Sequence, residues 1–214
     1  MVVTAPPRLS GRRESDWRLS GWRLVGGTAL FLLLAVASLV GMAPEMTDGL
    51  RHAIRLTARS SFALFLLAYT ASSLAVLAPC GATRWQRRNR RFFGLSFALS
   101  HAVHGLLLIA LAQRDPALFW SLTNVGNLVS GGVGYAFILL LAATSFPWAV
   151  AALGGRWWGV LHRVGVHYLW ISFLVTFGKR AALDSAYAPA LLLLGLAALL
   201  RVAAWRRGRR SAAA

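Results

Sequence analysis

The stretch RRFFGLSFALSHAVHGLLL, residues 90–108, opens on two arginines and then stays apolar over a length fit to cross a bilayer, with two histidines inside it. A helix rising about 1.5 Å per residue needs roughly 20 such residues to traverse the hydrocarbon. The apolar run here covers 92–112, and five more lie at 24–42, 61–77, 122–143, 157–177 and 189–204, the second and last being shorter. The chain is 57% hydrophobic and only 14% charged, with a mean hydropathy of +0.60. Its apolar residues are gathered in blocks rather than spread at amphipathic spacing. The pattern predicts an all-α integral membrane protein, a six-helix bundle that takes up nearly the whole chain.

The net charge of +17 would suggest a nucleic-acid partner in a soluble protein, so its placement decides its meaning. Arg8, Arg12, Arg13, Arg18 and Arg23 lie before or at the start of the first run, and Arg84, Arg87, Arg88, Arg90 and Arg91 precede the third. Arg156 precedes the fifth, and Arg206, Arg207, Arg209 and Arg210 follow the sixth. By the positive-inside rule these segments are cytoplasmic, which predicts six spans with both termini in the cytoplasm and a location in a bacterial-type inner membrane. The alternate loops carry Glu45, Asp48, Asp115 and Asp184, together with Arg51, Arg55, Arg59, Arg114, Lys179 and Arg180. The basic charge is thus read as topological, the partner as membrane lipid, and nucleic acid is excluded.

Three segments follow: a basic cytoplasmic arm over 1–22, a transmembrane domain over 23–205 and a basic tail over 206–214. The first apolar run exceeds the roughly 7 to 15 apolar residues of a signal peptide and is read as a retained helix. Cys80 is the only cysteine, so neither an internal disulfide nor a cysteine metal cluster is expected.

Four of the five histidines fall inside two of the spans. Ionisable groups in hydrocarbon are costly and usually functional, and imidazoles from two facing helices are suitable axial ligands for an iron porphyrin. His101 and His104 are three apart and share a face, with Gly105 beside them to let a flat macrocycle approach the backbone. In the fifth span, RWWGVLHRVGVHYLWISFLVTFG (156–178), His162 and His167 are five apart, about 140° around the helix. The face of His162 also carries Gly165, Ser172 and Thr176, which points it inward. Arg163 is placed either to hold a haem propionate or to snorkel to the interface. The plainer alternative makes all four imidazoles hydrogen-bond partners of neighbouring helices.

The double arginine and Gly-Leu pair with a histidine 14 residues after Arg90, the run LLLAATS ending the fourth span, and Trp158 followed by Leu-His-Arg together resemble the ferric reductase-like transmembrane domain superfamily. That group includes the haem-binding membrane subunits of methionine sulfoxide reductase systems and the membrane part of NADPH oxidases. The resemblance is best from Arg90 to about Trp170. It implies histidine ligands to b-type haem from the third and fifth spans, here His104 and His162, and electron flow across the bilayer. Two-haem members repeat the histidine at about 13 or 14 residues along each helix, where this chain has Arg90 and Val175 or Thr176. By that register His104 and His162 belong to different layers. Depth along the helices, at about 1.5 Å per residue, instead pairs His101 with His167. The ligand set therefore stays open among His101, His104, His162 and His167, with one histidine from each span and one haem b per chain expected.

The implied function is transmembrane electron transfer to an external acceptor such as ferric iron, oxygen or a periplasmic redox partner. No flavin or nicotinamide domain is expected, so this oxidoreductase subunit would need a quinol or a separate flavin reductase as donor. The alternative function is a haem-free scaffold acting in transport or assembly. The run SGGVGYAF from Ser130 reads as a close-packing surface, and Asn124 and Asn127, at the outer end of that span, as partners of interhelical backbone rather than of a quinone or haem propionate.

Overall fold

A computed structural model describes residues 20–213; most of the predicted basic arm, residues 1–19, lies outside it. The elements are α1 (Trp22–Gly41), α2 (Met46–Leu77), α3 (Gly81–Arg88), α4 (Arg90–Arg114), α5 (Pro116–Leu122), α6 (Val125–Ala143), α7 (Pro147–Ala181), a 3-10 turn (Ser185–Tyr187) and α8 (Ala188–Ala213). No strand occurs among the described residues. Six helices, α1, α2, α4, α6, α7 and α8, are long and apolar enough to cross a membrane, as the six apolar runs predict.

Lipid tails are as apolar as leucine, so such a bundle is held by close packing and interhelical hydrogen bonds rather than by burial from water. The most extensive pairing is α2 with α4, and α2 also packs on α1, α3 and α8. Three small hydroxyl residues stitch α2 to α4: Ser60 Oγ lies 2.8 Å from Ser100 Oγ, Ser61 donates to Ser100 at 3.0 Å, and Ser100 donates to the Thr57 carbonyl at 3.2 Å. Phe65 and Tyr69 of α2, Phe97 of α4, Ile138 of α6, Leu169 of α7 and Ala197 of α8 form the central core. A second cluster joins Leu50 and Ala53 of α2 to Leu107 of α4, with Leu39 and Val40 of α1 against it. Leu33, Leu106, Leu139, Leu192 and Leu199 are exposed around the outside, where a bilayer would cover them.

Two helices are longer than the apolar runs imply. The residues read as the first outer loop are helical from Met46 onward, forming the first turns of α2. Arg51, Arg55 and Arg59 interrupt the hydropathy but not the period, and Gly49, Leu50, Ala53 and Thr57 are buried on one side while His52 is exposed on the other. Gly49 is required there: a Cβ would fall 2.8 Å from the Leu39 carbonyl oxygen and from Val40 Cα. α8 likewise continues through the predicted basic tail as far as Ala213.

α7 is two helices joined at Gly154, whose φ of 73° and ψ of 147° break the spiral. Only glycine adopts that backbone without strain. The four carboxylates of the described chain all lie at the helix ends remote from Arg90. Asp115 and Asp184 cap α5 and the 3-10 turn through Leu118 N–H and Ala186 N–H, both at 2.9 Å. Asp48 pairs with Arg51 at 3.2 Å, and Glu45 precedes α2.

Candidate functional site

The α4 spiral brings His101 and His104 together, their ring centroids 5.3 Å apart. His104 Nδ1 lies 3.1 Å from Thr57 Oγ1 and 3.2 Å from the Ile54 carbonyl, both on α2. The single Thr57 hydroxyl proton has its shortest backbone contact, 2.8 Å, with the Ala53 carbonyl. His104 Nδ1 is then the donor to Ile54, which leaves Nε2 as a free lone pair. His101 is different, for its Nδ1 is buried without a partner. Its ring sits against Tyr135 of α6 at 4.9 Å, Phe97 at 5.5 Å and Phe173 of α7 at 6.5 Å.

Gly105 carries a neighbour other than the one its position suggests. Tyr135 lies over it, and a Cβ at residue 105 would meet the tyrosine hydroxyl oxygen at 2.8 Å. The same hydroxyl donates to the His101 carbonyl at 3.1 Å. The space expected for a macrocycle at Gly105 is filled by a side chain from α6.

On α7 the two histidines diverge. His162 Nε2 lies 3.0 Å from Thr144 Oγ1 at the end of α6. Thr144 already donates to the Leu140 carbonyl at 2.6 Å, so His162 Nε2 carries the proton and Nδ1 is left over. Trp158 packs on the His162 ring, centroids 4.3 Å apart and planes tilted by 32°, and donates to the Thr144 carbonyl at 2.8 Å. Gly165, on the same side, packs on Phe137 and Leu141 of α6, so this face turns inward toward α6.

His167 Nδ1 lies 2.6 Å from the Arg163 carbonyl, one turn earlier, which frees its Nε2. It is exposed, meets Tyr69 of α2 edge-on at 6.4 Å, and lines an open groove with Val160, Arg163 and Val164.

The two spans meet through aromatic residues. Phe97 and His101 both contact Phe173, eleven residues beyond His162 and six beyond His167. Toward the other end the charge of Arg90 reaches His162. His101 is therefore beside Phe173, and the electrostatic neighbour of His162 on α4 is Arg90. Among the described residues no cluster of three or more His, Cys, Asp or Glu side chains is poised for a metal ion. A haem iron asks for only two imidazoles, and here the donor chemistry fits: His104 and His167 each have Nδ1 tied to a backbone carbonyl, the orientation that presents Nε2 to a metal, and His101 Nδ1 has no protein partner.

Thr57, Tyr135, Thr144 and Trp158 position these rings; Thr144 and Trp158 fall in the motifs that carry the resemblance, whereas nothing in the sequence marked Thr57. A glycine on a histidine face, facing the Gly-Tyr pair 134–135, was the signal available for Tyr135. Asn124 caps α6 by accepting from Asn127 N–H at 2.9 Å, a bond within its own helix rather than to a neighbouring one, and of the glycines read as a packing surface Gly134 lies near Tyr168 while Gly131 and Gly132 face open space. Cys80 is exposed at the start of α3, where the backbone N–H and hydroxyl of Thr83 hold its thiol below the ordinary range.

The chain is similar to the protein-methionine-sulfoxide reductase heme-binding subunit MsrQ of Azospira oryzae, with 31% identity over 137 residues, or 57% of this chain. It spans about half the length of that curated relative, 52%. No protein-family model matches the chain. No solved structure matches it.

Proposed function

We propose that this multi-pass membrane protein binds one b-type haem between α4 and α7 and passes electrons across the bilayer to an external acceptor. The observation that carries this reading is the set of four imidazoles within two spans, each with a ring nitrogen that makes no hydrogen bond to the protein. The similarity to a heme-binding subunit supports it. His104 is the α4 ligand in this reading, because its free nitrogen is Nε2 and it matches the family position. On α7 the Leu-His-Arg motif favours His162, whereas the uncommitted Nε2 favours His167.

Arg163 supplies positive charge for a propionate. Thr57 and the Ile54 carbonyl orient His104, and Phe97, Tyr135 and Phe173 keep water from the imidazoles. A bound haem supplies one-electron chemistry at iron. Both chain termini are assigned to the cytoplasm and the bundle to the inner membrane. The donor is a quinol or a separate flavin reductase, and the acceptor ferric iron, oxygen or a periplasmic redox partner.

Absorbance of the purified full chain from haem-replete cells tests this. A low-spin Soret band with one haem per chain is expected, lost in His104→Ala and in one of His162→Ala or His167→Ala. Two haems per chain would contradict the ligand assignment. Absence of a Soret band with no recovery on adding haem would favour a haem-free scaffold, in which the Thr57–His104 and Thr144–His162 bonds simply join helices.

A further inference from the structure

At the arginine-rich end of the bundle, cations from two helices converge beside α2. Arg90 Nη1 donates to Ser72 Oγ at 3.0 Å. The Arg201 guanidinium of α8 lies over the Tyr69 ring, 4.5 Å from its centroid. Tyr69 is itself fixed, being 6% exposed and packed on Phe65. Tyr69 and Ser72 are three residues apart on α2, so the two guanidiniums come to the same side of that helix, with Arg87 one turn before Arg90. Arg90 is exposed and Arg201 half-buried, and like charges gathered at a helix end that faces a bilayer are costly unless an anion joins them.

The described chain offers no such anion nearby. Its carboxylates, Glu45, Asp48, Asp115 and Asp184, precede or begin α2, follow α4 and precede α8. Those positions are a full helix length from Ser72, Arg90 and Arg201. The preceding arm, residues 1–19, holds four arginines against Glu14 and Asp16, so it carries net positive charge and is a poor counter-ion. The depth of the cluster fits a lipid headgroup. Arg201 is one turn before Trp205, which is exposed as interfacial tryptophans are, and beyond it come Arg206, Arg207, Arg209 and Arg210. Guanidinium forks match phosphate oxygens in geometry as well as charge.

We propose that Arg90 and Arg201, held by Ser72 and Tyr69, form a site for the phosphate of an anionic phospholipid at the α2–α4–α8 corner. It borders the imidazoles, since Tyr69 also meets His167 at 6.4 Å, but none of the four histidines is part of it.

Native mass spectrometry of the detergent-purified full chain, with phosphatidylglycerol or phosphatidylcholine of matched acyl chains added, tests it. Preferential retention of phosphatidylglycerol is expected, falling on the order of tenfold in Arg90→Gln or Arg201→Gln, the scale of one charge-assisted hydrogen bond. Arg209→Gln, which removes the same charge from the end of α8, should leave retention unchanged. Should Arg201→Gln fail to give a monodisperse protein, Arg201→Lys keeps the charge but loses the fork and should give an intermediate value.

Equal retention of the two lipids, or equal losses in Arg201→Gln and Arg209→Gln, would overturn the site in favour of diffuse surface charge. A large gain of lipid in the Glu14→Gln/Asp16→Asn double variant would overturn it in favour of the arm. Loss of haem absorbance in Arg90→Gln and Arg201→Gln with lipid retention unchanged would assign the cluster to haem propionates instead. Haem is read by absorbance and lipid by mass, so failure of the haem reading leaves the lipid result standing.

Discussion

Tautomers separate the four span histidines more sharply than their spacing does. Thr57 and Thr144 each donate to a helical carbonyl, at 2.8 and 2.6 Å, and each therefore turns its histidine neighbour into a donor. The bonded nitrogen is Nδ1 in His104 but Nε2 in His162. Thr57→Val is expected to cost roughly 1 kcal/mol of stability, the net value of an ordinary hydrogen bond, and to broaden or shift the Soret band if His104 is a ligand. Thr144→Val should lower stability similarly, and by freeing Nε2 it should raise haem occupancy if His162 is the α7 ligand. Glycines give a second contrast. Gly105→Ala drives a Cβ into Tyr135 and should lower the melting temperature, whereas Gly131→Ala meets nothing within 4 Å and should be neutral or raise it, alanine being about 1 kcal/mol better in a helix. Thermal unfolding in one detergent checks both. That the histidines lie on two helices was legible from sequence. Which nitrogen each keeps free was not, because it is set by threonines and carbonyls on other helices.

Helix ends were harder to read than helix interiors. The hydropathy of α2 falls where Arg51, Arg55 and Arg59 occur, yet its buried face continues unbroken through Gly49, Ala53 and Thr57, since a charged residue on one side does not prevent a helix from packing on the other. The break in α7 had a visible signal, the Gly154–Gly155 pair ahead of Arg156, but a glycine pair inside an apolar segment marks packing as readily as bending. Gly154→Ala is expected to destabilise the protein by about 1–3 kcal/mol, since that backbone region is essentially closed to residues bearing a Cβ. Gly155→Ala has open space and ordinary helical backbone and should not. Parallel denaturation of the two variants is the check.

The arrangement of charge over the whole bundle was the most legible property, because arginine placement needs no knowledge of packing. From it we propose that the α2–α3 turn lies on the cytoplasmic side, and Cys80, exposed in that turn, reports on it directly. A membrane-impermeant maleimide should label Cys80 in inverted vesicles and spare it in intact cells; the opposite pattern would reverse the proposed topology. Thiolate is the reacting form, and Thr83 stabilises it. Labelling should thus reach half its maximal rate at a lower pH than for free cysteine, and Thr83→Ala should move that midpoint upward.

Order along the chain and order around the bundle differ in one respect that bears on how the protein is made. The last helix packs on the second, and Ala197 of α8 completes a core already lined by residues from α2, α4, α6 and α7. During synthesis five spans thus wait in the membrane with the Tyr69 and Leu169 faces uncovered until α8 leaves the ribosome. A variant ended after residue 183 is therefore expected to leave that seam open and to be cut faster by added protease in detergent than a chain that carries α8.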